Sequence, residues 1–199
     1  IGTRASALAT WQARWVADQL SVRGVCADLV PISTAGDRSR SQPVEEIGSQ
    51  GVFTKEIQAA LLDGRIDVAV HSLKDLATEQ VPELCLAAVP QRGPVGDVLV
   101  FRGGVGVSLD RLPERAVVGT GSPRRKSQLL HRRPDLCVQN IRGNVETRLA
   151  KLDEGQFDAV VLAEAGLRRL ELDQRVGEAL PTAIMLPAVG QGALGIESR

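Results

Sequence analysis

Aromatic side chains are scarce in this sequence. Its 199 residues include three Phe, two Trp and no Tyr, although 43% of them are hydrophobic. A chain of this length can bury one large core or two small ones. With so few aromatic rings, we expect Val, Leu and Ala to fill those cores.

Cysteines are equally few. Cys26, Cys85 and Cys137 are odd in number and lie far apart within apolar runs. This spacing matches neither a disulfide framework nor a metal-binding cysteine motif, so we expect no metal site. A reducing cytoplasm is the simplest setting for such a chain.

Net charge and long apolar runs are lacking as well. Lys plus Arg and Asp plus Glu both number 24, which leaves no overall field to attract nucleic acid or a membrane surface. No apolar run approaches the roughly 20 residues that cross a bilayer, and the sequence does not begin with a leader pattern. We expect a soluble monomer that binds neither partner. Because Ile1 begins inside a predicted strand and Arg199 follows an apolar segment that has no residues typical of the end of an element, we interpret the sequence as a fragment.

The sequence does contain an alternation of strand and helix patterns, which is typical of α/β domains. Residues 1–3 are predicted to be the end of a short strand. Further strands are predicted at 28–33, 66–70, 116–120 and 136–141, and helices at 53–62, 123–130 and 145–153. A further helix begins after Ser6 and ends at Gly24, and a polar surface loop is predicted at 37–51.

Two half-repeats organise these elements. Segment 62–70 matches segment 153–161, and a Gly-Thr strand end precedes each of them. Clusters of Pro and Gly at 90–96 and 187–192 mark two crossings between the halves. We therefore predict a hinged pair of lobes, with a ligand where the carboxyl ends of strands from both lobes face each other.

Polar side chains follow four of the predicted strands, at 2–6, 71–75, 119–125 and 142–148. Ser122 at an N-cap and Pro123 at the first helical position leave backbone N–H groups free for an anion. Arg124 and Arg125 stand beside them, and a guanidinium matches a carboxylate with two hydrogen bonds. Asn144 caps the next helix in the same way, about one turn before Arg148.

Taken alone, each of these segments has the residues usual at the start of a helix, with arginines exposed to solvent. Their placement at corresponding positions in both lobes favours a function, because solvent-exposed charges would not be expected to recur at those positions. His71 follows a buried strand and is predicted to be structural, and His131 is predicted to lie at the surface near a helix end. Asp75 is a lone carboxylate among cations, which suggests a chemical role.

These motifs resemble those of the porphobilinogen deaminase family. The matching stretches are IGTRAS at 1–6 with Trp11-Gln12, VHSLKD at 70–75, VGTGSPRR at 118–125, RGNVETRL at 142–149 and LPAVGQGA at 186–193. They occur in the family's order and near its spacings, over essentially the whole chain.

The resemblance implies an α/β fold with two lobes like type II periplasmic binding proteins, each a mixed, mainly parallel sheet flanked by helices. Residues 1–90 with 187–199 would form domain 1 and residues 91–186 an inserted domain 2. A third, α+β domain would be absent. The family joins four porphobilinogen molecules into hydroxymethylbilane and releases ammonia each time. It does so on a dipyrromethane cofactor bound to a cysteine of that third domain.

By the same resemblance, Asp75 is the catalytic carboxylate, which would stabilise an azafulvene cation and help proton transfer. Each pyrrole carries an acetate and a propionate, so the growing chain needs a cationic cleft. The resemblance assigns these carboxylates to Arg4, Ser6, Lys74, Thr120, Ser122, Arg124, Arg125, Arg142, Arg148 and Arg169.

Several positions depart from the family pattern. Glu46 and Gln50 stand where lysines are usual, Gly96 replaces an arginine, and Gly121 reduces a serine pair. Glu146 adds a negative charge beside the expected cleft. None of the three cysteines has the Gly-Gly-Cys context of the cofactor attachment site. These departures keep a second hypothesis open, a non-catalytic two-lobe binding protein for an anionic small molecule.

Overall fold

The computed structural model describes residues 1–38, 54–104 and 108–199, which form two compact units. Unit 1 comprises Ile1–Arg92 and Ala193–Arg199, and unit 2 comprises Gly93–Gly192. Unit 1 is therefore built from both ends of the sequence and unit 2 from its middle. None of the helices within these ranges is long and apolar enough to cross a membrane.

Unit 1 is a five-stranded sheet with helices. Its elements are β1 (Gly2–Thr3), α1 (Ala7–Ser21), β2 (Val30–Pro31), α2 (Ala35–Arg38), α3 (Lys55–Leu62), β3 (Val68–Ser72), β4 (Cys85–Ala88) and, from the end of the chain, β10 (Leu194–Ser198). The strand order is β2-β1-β3-β10-β4. Strand β1 runs parallel to β2 and β3, whereas β10 runs antiparallel to β3 and β4.

Unit 2 repeats this plan. Its elements are β5 (Asp97–Phe101), β6 (Val117–Gly119), α4 (Pro123–Arg132), β7 (Cys137–Gln139), α5 (Val145–Asp153), β8 (Ala159–Ala163), α6 (Glu164–Arg169) and β9 (Glu178–Leu180). The strand order is β7-β6-β8-β5-β9. Strand β6 runs parallel to β7 and β8, and β5 runs antiparallel to β8 and β9.

The predicted fold class, two mixed sheets flanked by helices, is confirmed. The balance of strand directions differs from the expected mainly parallel one, because the described pairings of each sheet divide equally into two parallel and two antiparallel. The antiparallel pairings all involve β5 or β10. Both strands follow a Pro- and Gly-rich crossing segment instead of a helix on the same sheet, so the rule that makes βαβ neighbours parallel does not apply to them.

The internal repeat is visible where helix passes into strand. Gly64 follows α3 with φ of 72°, and Gly155 follows α5 with φ of 80°. Each glycine donates its N–H to a carbonyl in the last turn of the helix before it, to Leu61 and Leu152 respectively. Glycine is favoured there because the left-handed conformation carries no Cβ penalty. The predicted match between 62–70 and 153–161 is therefore confirmed.

The core of unit 2 lies on both faces of its sheet. Side chains of β5 alternate between two apolar clusters, with Leu99 and Phe101 in one and Val98 and Val100 in the other. Alternation sends successive side chains of a strand to opposite faces, and both faces here are covered. In unit 1 the apolar clusters centre on residues such as Ile57, Leu61 and Val70.

Some predicted boundaries need correction. Strand β3 begins and ends two residues later than the predicted 66–70, because its pairing with β10 extends through His71 and Ser72. The helix predicted at 53–62 is observed as Lys55–Leu62. The loop predicted at 37–51 lies almost wholly outside the described residues, as do Glu46 and Gln50. Its first two residues belong instead to α2.

Candidate carboxylate-binding sites

In unit 1, the first predicted segment joins β1 to α1. Ser6 is the N-cap of α1, as predicted, and its hydroxyl accepts a hydrogen bond from the Ala9 N–H at 3.4 Å. That bond uses an oxygen lone pair, so the Ser6 proton remains for another acceptor. Arg4 lies half-buried immediately before this cap. A helix N-terminus beside a guanidinium favours a negative group.

The second segment follows β3 in the same unit. Leu73–Asp75 forms a single 3-10 turn, which carries the exposed side chains of Lys74 and Asp75. Ser72, the last residue of β3, accepts a hydrogen bond from the Gln12 amide at 2.9 Å. Since β1 and β3 are parallel neighbours, their carboxyl ends meet at one edge of the sheet.

These two segments share a pocket of about 110 Å³. Its polar lining consists of Arg4, Ser6, Gln12, Thr54, His71, Ser72, Lys74 and Asp75. Unit 1 thus brings together its four predicted site residues, Arg4, Ser6, Lys74 and Asp75. Two cations, three hydroxyls and a single exposed carboxylate line this pocket, which is a set of groups suited to an anionic ligand.

His71 also lines this pocket and is 5% exposed. Its Nε2 atom is 3.1 Å from Oε2 of Glu197, on the neighbouring strand β10. Gln58 donates its amide to both oxygens of the same carboxylate at 3.1 Å. Burial and a carboxylate neighbour fit the structural histidine that the sequence predicted. His131 is exposed in the last turn of α4, also as predicted.

In unit 2, the third predicted segment joins β6 to α4. Ser122 is the N-cap, with Pro123 in the first turn, and its hydroxyl accepts from the Arg125 N–H at 3.4 Å. Thr120 is buried and accepts from the Ser122 N–H at 3.2 Å. Gly121 lies against the next loop, since a Cβ there would stand 2.9 Å from the Ile141 carbonyl oxygen. The segment therefore approaches the one that follows β7.

Arg124 and Arg125 both pair with a carboxylate of the protein, which the sequence did not indicate. The Arg125 side chain is 8% exposed and that of Arg124 is 26% exposed. Both donate to Asp97, with Arg124 2.8 Å from Oδ2 and Arg125 2.7 Å from Oδ1. Arg125 also donates to the Val161 carbonyl, and Arg124 to that of Leu186. A carboxylate of the protein itself thus takes up part of the hydrogen-bonding capacity of both guanidinium groups.

Asp97 is completely buried, and its carboxylate has a third partner in Gln191 at 2.8 Å. Burial alone would raise the pKa of Asp97. The charge of Arg125, with hydrogen bonds from Arg125, Arg124 and Gln191, outweighs burial and holds the pKa below its ordinary value. Gln191 also donates to the carbonyls of Val95 and Gly96, so this cluster joins the segments that begin and end unit 2.

The fourth segment follows β7. Asn144 caps α5 as predicted, accepting from the Thr147 N–H at 2.9 Å, and Arg148 donates to the Gly143 carbonyl. Nε of Arg142 is buried and has no hydrogen-bond partner in the described parts of the chain. Glu146 is exposed in the first turn of α5.

Arg169 lies on α6 and donates to the Gly192 carbonyl at 2.7 Å. Burial lowers the pKa of this guanidinium, although an arginine remains charged under ordinary conditions. Unit 2 therefore contains seven of the predicted residues, which are Thr120, Ser122, Arg124, Arg125, Arg142, Arg148 and Arg169.

The sequence motifs assign no role to Asp97 or Thr54, and they include Gln191 only within LPAVGQGA at 186–193. An aspartate that opens the otherwise apolar strand Asp97–Phe101 was a signal for a buried, paired carboxylate. The partners of Asp97 lie 27, 28 and 94 residues away, so the pattern of the sequence could not identify them. Across the described ranges, no cluster of His, Cys, Asp and Glu is suited to a metal ion.

The chain matches a known protein family over its whole length. All of residues 1–199 match the family model described as porphobilinogen deaminase, dipyromethane cofactor binding domain. The chain belongs to the porphobilinogen deaminase family. A porphobilinogen deaminase from Syntrophotalea carbinolica is 51% identical over 201 residues, which cover 100% of this chain and 63% of that protein. The chain thus spans slightly less than two thirds of this relative.

Solved structures with the same fold are more distant. The periplasmic aliphatic sulphonate binding protein SsuA from Escherichia coli has a TM-score of 0.52 and 14% identity, over 99% of this chain and 59% of its own. A lipoprotein from Bacillus subtilis has a TM-score of 0.55 and 13% identity, over 100% and 81%. At these identities the likeness shows the two-lobe binding-protein fold alone.

The donors in unit 2 fit the cofactor named by the family model. The family's dipyrromethane cofactor consists of two pyrroles that each bear an acetate and a propionate, so it carries four carboxylates, whose oxygens only accept hydrogen bonds. The buried, unpartnered Nε of Arg142 is a donor of the matching kind, and the Ser122 hydroxyl retains a proton after capping α4. A buried donor without a partner is costly unless a ligand or water satisfies it. We therefore find the residues of this unit compatible with that group.

Proposed function

We propose that the full protein condenses four porphobilinogen molecules head to tail into hydroxymethylbilane, with release of ammonia. Membership of the porphobilinogen deaminase family over residues 1–199 carries this proposal. The pocket of unit 1 supports it, because the exposed Asp75 lies there with Arg4 and Lys74. One carboxylate among cations suits a substrate that is anionic at its side chains and becomes cationic where it reacts.

Each condensation breaks the bond between the aminomethyl carbon and nitrogen of porphobilinogen. The nitrogen leaves as ammonia, and the pyrrole becomes an azafulvene cation. The free α-carbon of a terminal pyrrole then forms the new carbon–carbon bond and loses its proton. When bound, the dipyrromethane cofactor supplies the first such pyrrole. We propose that Asp75 stabilises the cation, delivers a proton toward the leaving nitrogen and accepts the proton that the α-carbon loses.

The remaining predicted residues would bind carboxylates. In unit 1 these are Arg4, Ser6 and Lys74, and in unit 2 Thr120, Ser122, Arg124, Arg125, Arg142, Arg148 and Arg169. Arginine is suited to this role because its planar group can hold both oxygens of a carboxylate. Arg142 has the strongest individual support, since its buried Nε still lacks an acceptor in the described structure.

We further propose that the protein acts as a monomer in the cytoplasm, within tetrapyrrole and heme biosynthesis, and binds neither nucleic acid nor membranes. Cys26, Cys85 and Cys137 are all free and exposed, which suits a reducing compartment. The equal numbers of acidic and basic residues provide no overall charge for binding nucleic acid.

The test is turnover by the full-length protein. We expect it to consume porphobilinogen, release ammonia and form hydroxymethylbilane, and we expect Asp75→Ala to abolish turnover while the melting temperature is retained. Asp67→Ala is the matched control, because its carboxylate is 94% exposed and lies outside the pocket. An Asp75→Ala enzyme as active as the control would exclude the proposed role of Asp75. Failure of the parent protein to release ammonia would exclude the reaction itself.

A further inference from the structure

Thr54 carries a buried hydroxyl that makes no hydrogen bond with the described residues. The residue is 1% exposed, and its Oγ1 atom has no partner in the described structure. Thr54 is the N-cap of α3, with its carbonyl accepting from the Gln58 N–H at 2.8 Å, yet its side chain makes no capping bond. An N-cap threonine ordinarily uses its hydroxyl for that bond. Here the hydroxyl is left without a structural role.

The same residue lines the pocket of unit 1. Ser6 and Ser72 line it too, and their oxygens accept from the Ala9 N–H and the Gln12 amide respectively. Each of these hydroxyls therefore has a proton left to donate. A pocket with three hydroxyl donors needs a ligand whose atoms accept hydrogen bonds.

Charge and size define the class of that ligand. Among the described residues of the pocket lining, two cations, Arg4 and Lys74, outnumber the single carboxylate of Asp75. A carboxylate balances that excess with one negative charge, whereas a phosphate group carries about 1.5 to 2 negative charges at pH 7. The volume of about 110 Å³ is several times what one water needs, so a carboxylate and its methylene group fit.

We propose that the Thr54 hydroxyl donates a hydrogen bond to a ligand carboxylate in the pocket of unit 1, and thereby helps select a carboxylate-bearing substrate. The inference rests on the proposed function for the identity of that substrate, a pyrrole with carboxylate side chains. It adds a residue that the sequence motifs did not indicate. The carboxylate would lie between the cations at the pocket mouth and this buried donor.

Substitution of Thr54 separates binding from stability. Thr54→Val keeps the shape of the side chain and removes the hydroxyl, so we expect an unchanged or higher melting temperature, because an unsatisfied polar group is lost. Affinity for propionate, measured by NMR titration of the full-length protein, should fall at least fivefold. Thr54→Ser retains the hydroxyl and should bind propionate as the parent does.

Thr3→Val is the matched control for stability. The Thr3 hydroxyl is also buried in unit 1, but it donates to the Ala9 carbonyl at 3.0 Å. We expect this variant to lower the melting temperature, which shows that the assay detects a lost hydrogen bond. A comparable loss in Thr54→Val, with unchanged propionate affinity, would assign Thr54 a structural role and overturn the proposal.

Turnover provides an independent readout. If the parent converts porphobilinogen, Thr54→Val should raise KM at least fivefold with kcat nearly unchanged, because the contact is made before and during the reaction. Unchanged KM and unchanged propionate affinity would show that only water meets this hydroxyl. Tighter binding of inorganic phosphate than of propionate would contradict the carboxylate class. If the parent converts no porphobilinogen, the propionate titration still tests Thr54 by itself.

Discussion

Oδ1 of Asp97 lies 2.7 Å from a terminal guanidinium nitrogen of Arg125, and neither side chain is more than 8% exposed. Arg124 holds the other oxygen at 2.8 Å. Buried arginines need a counter-charge, and Asp97 provides one for two residues that the family resemblance assigns to ligand carboxylates. Asp97 therefore fixes where both guanidinium groups can present their remaining donors.

This pair predicts how stability depends on pH. The pKa of Asp97 is lowered in the folded protein, so its contribution is fully present above the ordinary unfolded value of about 3.9. The contribution is lost as the pH falls through the lower, folded pKa. We expect urea unfolding to show a free energy that declines as the pH falls below about 4, with a shallower decline in Asp97→Asn. Identical slopes in parent and variant would contradict the assignment.

At neutral pH, Asp97→Asn should lower the free energy of unfolding by about 3–5 kcal/mol, since Arg125 stays buried without its counter-charge. Asp110→Asn is the control, because Asp110 forms an exposed ion pair with Arg132. That pair should contribute about 1 kcal/mol or less. Equal losses in the two variants, measured by urea unfolding, would show that burial does not strengthen the Asp97 cluster.

Features that depend on neighbouring residues could be predicted from the sequence, whereas contacts between distant segments could not. Ser6, Ser122 and Asn144 all cap helices as predicted, because an N-cap depends on residues two or three positions away. The α/β class also followed from local patterns, whereas the two lobes of mixed sheets were implied by the family resemblance. The late end of β3 did not, because Ser72 becomes strand only by pairing with Leu194, 122 positions further along the chain.

The candidate sites show the same division. The motifs identified Arg4, Lys74 and Asp75, which the structure brings into one pocket. They did not reveal that Arg125 is buried against Asp97, since an arginine in a helix start gives no sign of whether solvent reaches it. Burial depends on strands that lie far away in sequence. The Thr54 hydroxyl, which lacks a partner among the described residues, likewise has no signature in the sequence.

At position 192, any side chain larger than that of glycine is expected to destabilise the fold. Its φ is +85°, and a Cβ would stand 2.5 Å from the Pro94 carbonyl oxygen. Gly192→Ala should therefore lower the free energy of unfolding by more than the roughly 1 kcal/mol that an alanine in the left-handed conformation costs by itself. Gly24→Ala is the matched control, with φ of +77° and no atom within 4 Å. If the denaturant midpoint shifted equally in the two variants, the segment beside Gly192 would accommodate the added methyl group at little cost.

Substitution of Arg142 is expected to weaken ligand binding without lowering the stability of the fold. Its Nε donor is buried and lacks a partner in the described structure, so no hydrogen bond of that nitrogen is given up when the side chain is removed. Arg142→Ala should weaken binding of a polycarboxylate pyrrole about tenfold or more, as expected for a hydrogen bond to a charged group. Arg142→Lys should recover only part of the affinity, because it keeps the charge and loses the planar fork. Arg132→Ala removes an exposed arginine of the same unit and should leave affinity unchanged. Calorimetric titration and thermal unfolding of all three variants check these outcomes, and parental affinity in Arg142→Ala would remove Arg142 from the carboxylate-binding set.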